Sequence, residues 1–168
     1  MALRPTASQT VGPYFHIGLP WEGGAELVPA GDPRAIRVGG TVYDGEGKPV
    51  PDALIEIWQP AEEAFGRTPT DADGGYEFVT VKPAPVEGPD GRPQAPHIAV
   101  SVFARGLLVR LVTRIYFPDE QEANANDPLL SSIEDEELRS TLLAREAHGV
   151  LRFDIRLQGE GETAFLDV

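Results

Sequence analysis

The sequence predicts a mainly β protein: a β-sandwich of short strands with one appended helix and an extended N-terminal arm. Its 18 glycines and 16 prolines are many for 168 residues, yet 41% of the chain is hydrophobic, so they mark frequent turns rather than disorder. Short stretches alternate apolar with polar residues, as strands with one buried face do. Many short strands separated by turns are typical of a sandwich.

The first 35 residues are predicted to form the arm, and residues 36–168 are predicted to form one domain. Glycine and proline are too dense over residues 4–24 to permit a helix. Three aromatic residues lie in this segment: Tyr14, Phe15 and Trp21. Because so many aromatic side chains are poorly suited to a solvated tail, the arm is expected to pack on a partner chain. The alternative is a frayed terminus.

The domain begins near Ile36, and each predicted strand is bounded by a turn signal. The strands cover residues 40–43, 53–58, 76–81 and 151–157, and two more lie inside 97–117. The connections are a turn at 44–47, a loop at 60–69, a turn at 71–75 and a proline-rich loop at 83–96. Apolar residues alternate on both sides of Arg105-Gly106, so these two residues are expected to form a tight turn between the strands of 97–117.

The predicted helix starts near Ser131. Ser131 and Glu134 fit a capping box, and Leu138 and Leu142 share one face at a spacing of four residues. Residues 118–146 around it carry nine acids and two arginines. Since the acids lie away from the leucine face, we expect an amphipathic helix packed on the sandwich.

Composition argues against several classes of function. A net charge of −13 argues against nucleic acid or an anionic membrane as a partner, because phosphate groups require a basic surface. The absence of cysteine excludes disulfides, cysteine-zinc sites and thiol catalysis. No apolar run resembles a signal peptide or approaches the ~18 residues that span a membrane, so a soluble cytoplasmic protein is expected.

One stretch of this acidic protein is basic. Residues 97–117 carry Arg105, Arg110 and Arg114 and no acid. Such a stretch is a candidate anion site. The alternative is that these arginines pair with the acidic segment 118–146 across the surface.

Histidine positions do not provide a complete metal or catalytic set. His97 opens a predicted strand, and Ala99 stands two residues later on the same face. A second imidazole at that position would allow chelation, but one imidazole does not hold a metal, so His97 is expected to be structural. His16 and His148 have no acid or serine at an informative spacing.

Other motifs are incomplete as well. Asp71, Asp73 and Gly74 have part of the spacing of a calcium loop. Lys82 occupies the twelfth position, where such a loop has a glutamate, so a turn is expected instead. By these residues alone, the chain is a β-sandwich without a self-sufficient catalytic set.

A series of short motifs resembles the intradiol ring-cleaving dioxygenases. In chain order they are residues 8–14 (SQTVGPY), 57–59 (IWQ), 66–68 (GRT), 73–76 (DGGY), 80–83 (TVKP), 95–98 (APHI), 102–106 (VFARG), 113–117 (TRIYF) and 153–163 (FDIRLQGEGET). Each motif is weak alone, but together and in this order they cover most of the chain. The resemblance is to the metal-free alpha chains of family members built from alpha and beta chains.

The resemblance implies that Fe(III) is held by two tyrosines and two histidines of the beta chain. At the matching positions here, the loop after Gln59 is short and has no tyrosine, and Val86 replaces the second tyrosine. His97 and Ala99 stand where the histidine pair would be. The chain is therefore expected to contain no catalytic residue and no metal ligand set of its own.

The resemblance also implies that this chain forms part of the wall of a shared pocket. The residues implied are Thr10, Gly12, Pro13 and Tyr14 of the arm, and Arg105. A Gly-Pro backbone can approach a flat ring closely, and a guanidinium presents paired donors to a carboxylate. For Arg105, the alternative is that Arg-Gly simply makes the hairpin turn.

The implied reaction is cleavage of protocatechuate by dioxygen to 3-carboxy-cis,cis-muconate, in aromatic-acid degradation through the beta-ketoadipate pathway. The implied partner is a beta chain, in a higher-order alpha–beta hetero-oligomer. The alternative is a non-enzymatic β-sandwich module of the transthyretin-like kind that binds a partner or small ligand.

Overall fold

The computed structural model describes Ala7, Gly12 and residues 15–167, with His16 described by its backbone alone. Its strands are β1 (Ala35–Tyr43), β2 (Leu54–Gln59), β3 (Ala64–Pro69), β4 (Gly75–Val81), β5 (Val86–Glu87), β6 (Pro93–Gln94), β7 (His97–Phe103), β8 (Leu111–Tyr116), β9 (Arg145–Ala147), β10 (Val150–Arg152) and β11 (Ile155–Arg156). Its helices are short: α1 (Phe15–Gly18), α2 (Gln121–Asn126), α3 (Pro128–Ser132) and α4 (Glu136–Ser140). None of the described helices is long and apolar enough to cross a membrane.

Two main sheets form the predicted sandwich. In the first sheet, β1 pairs antiparallel with β4 on one edge and parallel with β10 and β11 on the other, and β9 extends β10. The second sheet has the order β3-β2-β7-β8 and is antiparallel throughout. β5 and β6 form a separate two-stranded ribbon. The prediction of a mainly β sandwich is therefore confirmed.

The main core lies between the two sheets. Val38 and Phe78 of the first sheet and Ile57 and Val100 of the second are almost completely buried in it. Strand periodicity explains the arrangement, because alternate residues of β7 point inward while the residues between them, such as Ser101, point to the opposite face. A second cluster beneath the helices consists of Ala95, Tyr116, Leu130, Leu142 and Ala164.

The predicted loop at 60–69 is wrong for most of its length. β3 occupies its second part and pairs with β2 from Gln59↔Ala64 to Leu54↔Pro69, which leaves only residues 60–63 as the connection. Gly66 conceals the strand pattern in the sequence. A Cβ there would lie 2.6 Å from a methyl carbon of Leu27, so close packing excludes a side chain from this strand position.

The single predicted helix is also wrong. Three short helices occupy residues 121–140, and the backbone of Ile133 is extended between α3 and α4. The caps are aspartates: Asp127 accepts from the first backbone N–H groups of α3, and Asp135 does so for α4. Ser131 lies inside α3 instead of capping a helix.

Two predicted boundaries in strands also need correction. The connection between β7 and β8 spans residues 104–110, so Arg105-Gly106 is part of a longer turn than predicted. The predicted strand 151–157 is interrupted at Phe153-Asp154, between β10 and β11. The interruption brings the Phe153 carbonyl against Gly40, where a Cβ would lie only 1.9 Å from that oxygen.

The predicted arm is partly a component of the domain. α1 forms one helical turn within the segment where no helix was expected, and the side chain of Phe15 is buried. Farther on, the backbone of residues 24–27 exchanges hydrogen bonds with Arg67 of β3 and with Val79 of β4. Residues 24–27 of the predicted arm therefore pair with strands of the domain, and the division at residue 35 stays a prediction. Packing of the earlier residues on a partner stays a prediction.

Candidate functional site

Arg105 lies in the connection between β7 and β8. Its side chain is 72% exposed. The turn around it is fixed by a hydrogen bond from the Leu107 N–H to the Ala104 carbonyl, 3.2 Å long, and by Gly106 at φ +87°. Since positive φ strongly favours glycine, the Arg-Gly pair has the backbone role that the alternative interpretation gave it. That role leaves the guanidinium accessible for a ligand.

Arg105 has a carboxylate partner outside both the acid-free stretch 97–117 and the acidic segment 118–146. Its Nε lies 2.9 Å from Oδ2 of Asp52, a residue just before β2 that is far apart in sequence. Asp52 is largely buried, with a side chain only 20% exposed, and its Oδ1 has no hydrogen-bond partner among the described residues. The sequence did not indicate this partner, because Asp52 lies far from Arg105 along the chain and outside the acidic segment 118–146.

The other predicted pocket residues are mainly outside the described part of the chain. Thr10, Pro13 and Tyr14 are not among the described residues, so their role stays a prediction. Gly12 is described: it is partly buried, has φ +69°, and a Cβ there would meet no atom of the described residues within 4 Å. The backbone at Gly12 is thus open on the side where a side chain would project.

Positions matched to metal ligands lie in and beside the second sheet. His97 begins β7, with Ala99 two residues later opposite Trp58 of β2 and Arg114 of β8. Val86 lies in β5, paired with Gln94. Neither the alanine nor the valine side chain has an atom that can bind a metal.

His97 is buried and engaged by its own segment. Its Nδ1 lies 2.8 Å from the carbonyl oxygen of Ala95, and its ring packs at 5.6 Å from that of Tyr116. Burial lowers the pKa of His97, because desolvation disfavours the imidazolium, and the charge of Arg114 adds to this effect. The Ala95 carbonyl and Asp127 oppose it. These contacts agree with the expected structural role.

A buried polar network surrounds His97. Asp127 is fully buried; it accepts a hydrogen bond from Tyr116 Oη at 3.1 Å and another from the Ala95 N–H at 2.9 Å. Arg114 donates to Tyr116 Oη at 3.2 Å and to Gln94 at 3.1 Å. Burial raises the pKa of Tyr116, so its phenol stays protonated. Hydrogen bonds within the chain satisfy these polar groups.

The described residues do not fit an iron ion held by two tyrosines and two histidines. Within the described ranges, no group of three or more His, Cys, Asp or Glu side chains could hold a metal. Tyr76 donates to the Phe153 carbonyl at 2.6 Å, and Tyr43 lies beneath the guanidinium of Arg156. With Tyr116 also engaged, each described tyrosine has a contact away from a common centre.

The three arginines of residues 97–117 have separate environments. Arg105 pairs with Asp52, and Arg114 joins the buried network through Tyr116. Arg110 is exposed and lies beside a groove. Among the described residues, none of the three forms an ion pair with the acidic segment 118–146, so the predicted alternative of direct pairing across the surface is wrong for them.

The outer face of the second sheet carries a cluster of large apolar side chains beside Glu56 and Ser101. A groove of about 1090 Å³ runs across it, and its apolar lining includes Trp58, Phe65, Phe103, Val109 and Val112. Trp58, Phe65 and Val109 are exposed. We call these five residues the apolar face. A monomeric protein rarely leaves such a contiguous set of large apolar side chains in solvent, which indicates an interaction surface.

The start of the domain extends the apolar face. Trp21 stacks on Phe65 with 5.9 Å between ring centroids. Arg67 lies over both rings, pairs with Glu56, and donates to the Leu19 carbonyl at 3.1 Å. Sequence reasoning assigned Trp21 to a partner contact but missed Phe65, since it placed that residue in a loop.

Comparison with known proteins identifies the family. A family model described as "Dioxygenase" matches residues 11–159, which is most of the chain. The chain belongs to this dioxygenase family. This membership confirms the predicted family resemblance.

Two similar relatives are alpha chains. The chain is 43% identical to the protocatechuate 3,4-dioxygenase alpha chain of Pseudomonas putida, over 98% of this chain and 97% of that protein. It is 40% identical to the alpha chain of the same name from Burkholderia cepacia, over 99% and 98%. The protocatechuate 3,4-dioxygenase beta chain of Burkholderia cepacia is 34% identical, over 79% of this chain and 69% of that protein. The predicted likeness to alpha chains is confirmed.

A solved structure shows the same fold. The dioxygenase domain of a dioxygenase–carbohydrate-binding fusion protein from Streptomyces sp. SirexAA-E is 28% identical, with a TM-score of 0.62, over 96% of this chain and 100% of that domain. Differences of length remain within the family. The alignment with the Pseudomonas putida alpha chain spans 195 positions, so this chain of 168 residues lacks residues inside the aligned region.

Proposed function

We propose that this chain is the metal-free alpha subunit of a protocatechuate 3,4-dioxygenase. The observation that carries the proposal is the similarity to two alpha chains over almost the whole length of each protein. The family match and this similarity favour the dioxygenase subunit over the transthyretin-like binding module.

The iron is proposed to belong to a beta chain. The family is generally dependent on Fe(III), whereas Val86 and Ala99 stand at two positions that would require ligands. The nearby His97 is buried, with Nδ1 against the Ala95 carbonyl. A division of labour follows, in which one chain binds the metal and this chain shapes the pocket around the substrate.

The pocket role is proposed for Arg105 and for the arm residues Thr10, Gly12, Pro13 and Tyr14. Arg105 supports it by its exposure, because a guanidinium in solvent can donate hydrogen bonds to an incoming carboxylate. Gly12 supports it by its open side, which a flat ring could approach. The proposed reaction is cleavage of the protocatechuate ring to 3-carboxy-cis,cis-muconate, within aromatic-acid degradation.

The apolar face is proposed as the surface that binds the beta chain. Proteins related to this chain are named as alpha and beta chains, so a partner of the same fold is the occupant to expect. Ala99 lines the same groove, and this small side chain stands where the family resemblance implies a second histidine. A higher-order assembly and a cytoplasmic location complete the proposal; both rest on the sequence expectations.

Coexpression tests this function. The chain is produced alone and together with a beta-type chain, and each preparation is assayed for iron content, visible absorption and dioxygen-dependent protocatechuate cleavage. We expect an equimolar, coloured and active complex, and an isolated chain with neither iron nor activity. Stoichiometric ferric iron in the isolated chain would contradict the division of labour. Failure to bind any beta-type chain at micromolar concentration would contradict the subunit assignment.

A further inference from the structure

The pairing of β2 with β7 brings Asp52 and Arg105 together. In this antiparallel pair, Leu54 lies opposite Phe103. Continuing the same register by two residues beyond the strands places Asp52 opposite Arg105. The contact between Arg105 Nε and Asp52 Oδ2 therefore joins two residues just beyond the paired ends of β2 and β7.

Asp52 is the rigid member of the pair. Its carboxylate is largely buried, while the guanidinium is mostly in solvent. The backbone immediately after it is anchored, since the Ala53 N–H donates to the Thr70 hydroxyl at 2.9 Å. An exposed arginine normally samples many rotamers, and ordering it costs free energy whenever a ligand binds. A fixed carboxylate beside Nε removes part of that freedom beforehand.

The contact with Asp52 leaves the two terminal nitrogens of the Arg105 guanidinium free to bind a ligand. Asp52 lies beside Nε, and within the described residues neither terminal nitrogen of Arg105 donates a hydrogen bond. Those two nitrogens form the edge that can bind a carboxylate through two parallel hydrogen bonds. The arrangement therefore combines a held side chain with a free binding edge.

We propose that Asp52 is a positioning residue, which aims the terminal nitrogens of Arg105 at the carboxylate of the aromatic acid substrate. This inference rests on the proposed function, because it takes Arg105 to lie at the shared pocket. Asp52 does not touch the substrate in this arrangement; it acts through Arg105.

A carboxylate near Arg105 also has an opposing effect. Its negative charge reduces the attraction between the guanidinium and an anionic substrate, while its contact orders the side chain. Asp52 contacts Arg105 at 2.9 Å but does not touch the substrate, so solvent screens the repulsion more than the contact and we expect the ordering effect to exceed the repulsion. The two effects predict opposite results for removal of Asp52, which makes the proposal testable.

The experiment uses the complex with a beta-type chain and compares protocatechuate with catechol, which lacks the carboxylate. We expect Asp52→Ala to lower kcat/KM for protocatechuate about two- to tenfold, mainly through KM, with little change for catechol. Asp52→Asn retains an oxygen beside Nε and should recover most of the loss. In the Arg105→Ala background, Asp52→Ala should have no further effect, because its route of action is gone.

Asp32→Ala is the matched control. Asp32 is 12% exposed and pairs with Arg34, which is 74% exposed, so this pair closely resembles Asp52 and Arg105. Asp32→Ala should leave the substrate preference unchanged. If the unsubstituted complex does not cleave protocatechuate, the proposed function fails and this inference fails with it.

In an active complex, three results would overturn the Asp52 role alone. The first is an unchanged or higher kcat/KM for protocatechuate in Asp52→Ala. The second is an equal decrease of kcat/KM for protocatechuate and for catechol. The third is that Asp52→Ala lowers kcat/KM just as much when Arg105 has already been replaced by alanine. Equal losses would mean that Asp52 only supports the fold.

Discussion

Replacement of Trp58 by alanine should weaken binding of the proposed beta chain more than it weakens the fold. Trp58 points outward from β2, opposite Phe65 of β3 and Ala99 of β7, at the centre of the apolar face. Trp58 does not point into the sandwich core, because its neighbours Ile57 and Gln59 are the residues that point inward and are buried. The substitution therefore removes surface available to a partner.

The size of the effect can be worked from exposure. Trp58 is 42% exposed. A tryptophan buries up to about 250 Å² in an interface, so about 100 Å² remains for a partner to cover. At about 25 cal/mol per Å² this area corresponds to about 2.5 kcal/mol. Since buried area does not convert fully into affinity, we expect a loss of about 1–2.5 kcal/mol, or about five- to seventyfold in Kd.

The assay follows dissociation of the purified complex on dilution, by mass photometry or sedimentation, so that no isolated chain is required. Leu138→Ala is the matched control, because Leu138 is 40% exposed but lies on α4, away from the apolar face. It should leave Kd unchanged. Circular dichroism of both variants verifies that the β structure is intact.

Two outcomes would refute the reasoning. If Trp58→Ala dissociates at the same concentration as the unsubstituted complex, the apolar face is not covered by the beta chain. If Trp58→Ala and Leu138→Ala weaken binding equally, the loss comes from general destabilisation. A smaller but measurable effect is expected for Phe65→Ala, since Trp21 already covers one side of that ring.

Two further predictions concern Arg105 and His97. Arg105→Ala should lower kcat/KM for protocatechuate about tenfold or more, because a hydrogen bond to a charged group contributes about 1.5–3 kcal/mol. The value of kcat/KM for catechol should change little. An equal loss on catechol would mean that Arg105 only supports the hairpin. Burial lowers the pKa of His97 from its ordinary 6.5. Between the lowered pKa and about 6.5, the unfolded chain therefore binds more protons than the folded chain. The folded state loses stability as pH falls through this range. Thermal unfolding of the complex at pH 7.5 and pH 5 should therefore show a smaller decrease for His97→Gln than for the unsubstituted protein, and identical decreases would contradict the assignment.

The strands that were predicted correctly are those whose pattern is complete in the local sequence. β4 has buried Tyr76, Phe78 and Thr80 at alternate positions, with the less buried Glu77 and Val79 between them, and a glycine turn precedes it. β3 escaped prediction because its buried position is Gly66, which carries no hydrophobic signal. A glycine required by close contact with Leu27 is identical, in a sequence, to a glycine that marks a turn.

The helical region shows a second limit. Leucine spacing over 131–142 suggested one amphipathic helix, yet Asp127 and Asp135 each start a separate short helix. Asp127 is fully buried and also binds the Ala95 N–H and Tyr116, so contacts distant in sequence decide where α3 begins. A capping motif alone does not reveal such contacts.

The sequence by itself determined the fold class, the family and the lack of ligands at Val86 and Ala99, because residue identity and alternation are local properties. Only the tertiary structure decided that Asp52 lies against Arg105, since the two residues are far apart in the sequence and meet where β2 and β7 pair. It also decided that Trp58 and Phe65 form one apolar face, because adjacent strands bring together side chains that the chain order keeps apart. The sequence gives the chemistry of each residue, whereas the register of the sheet determines which residues lie together in a site.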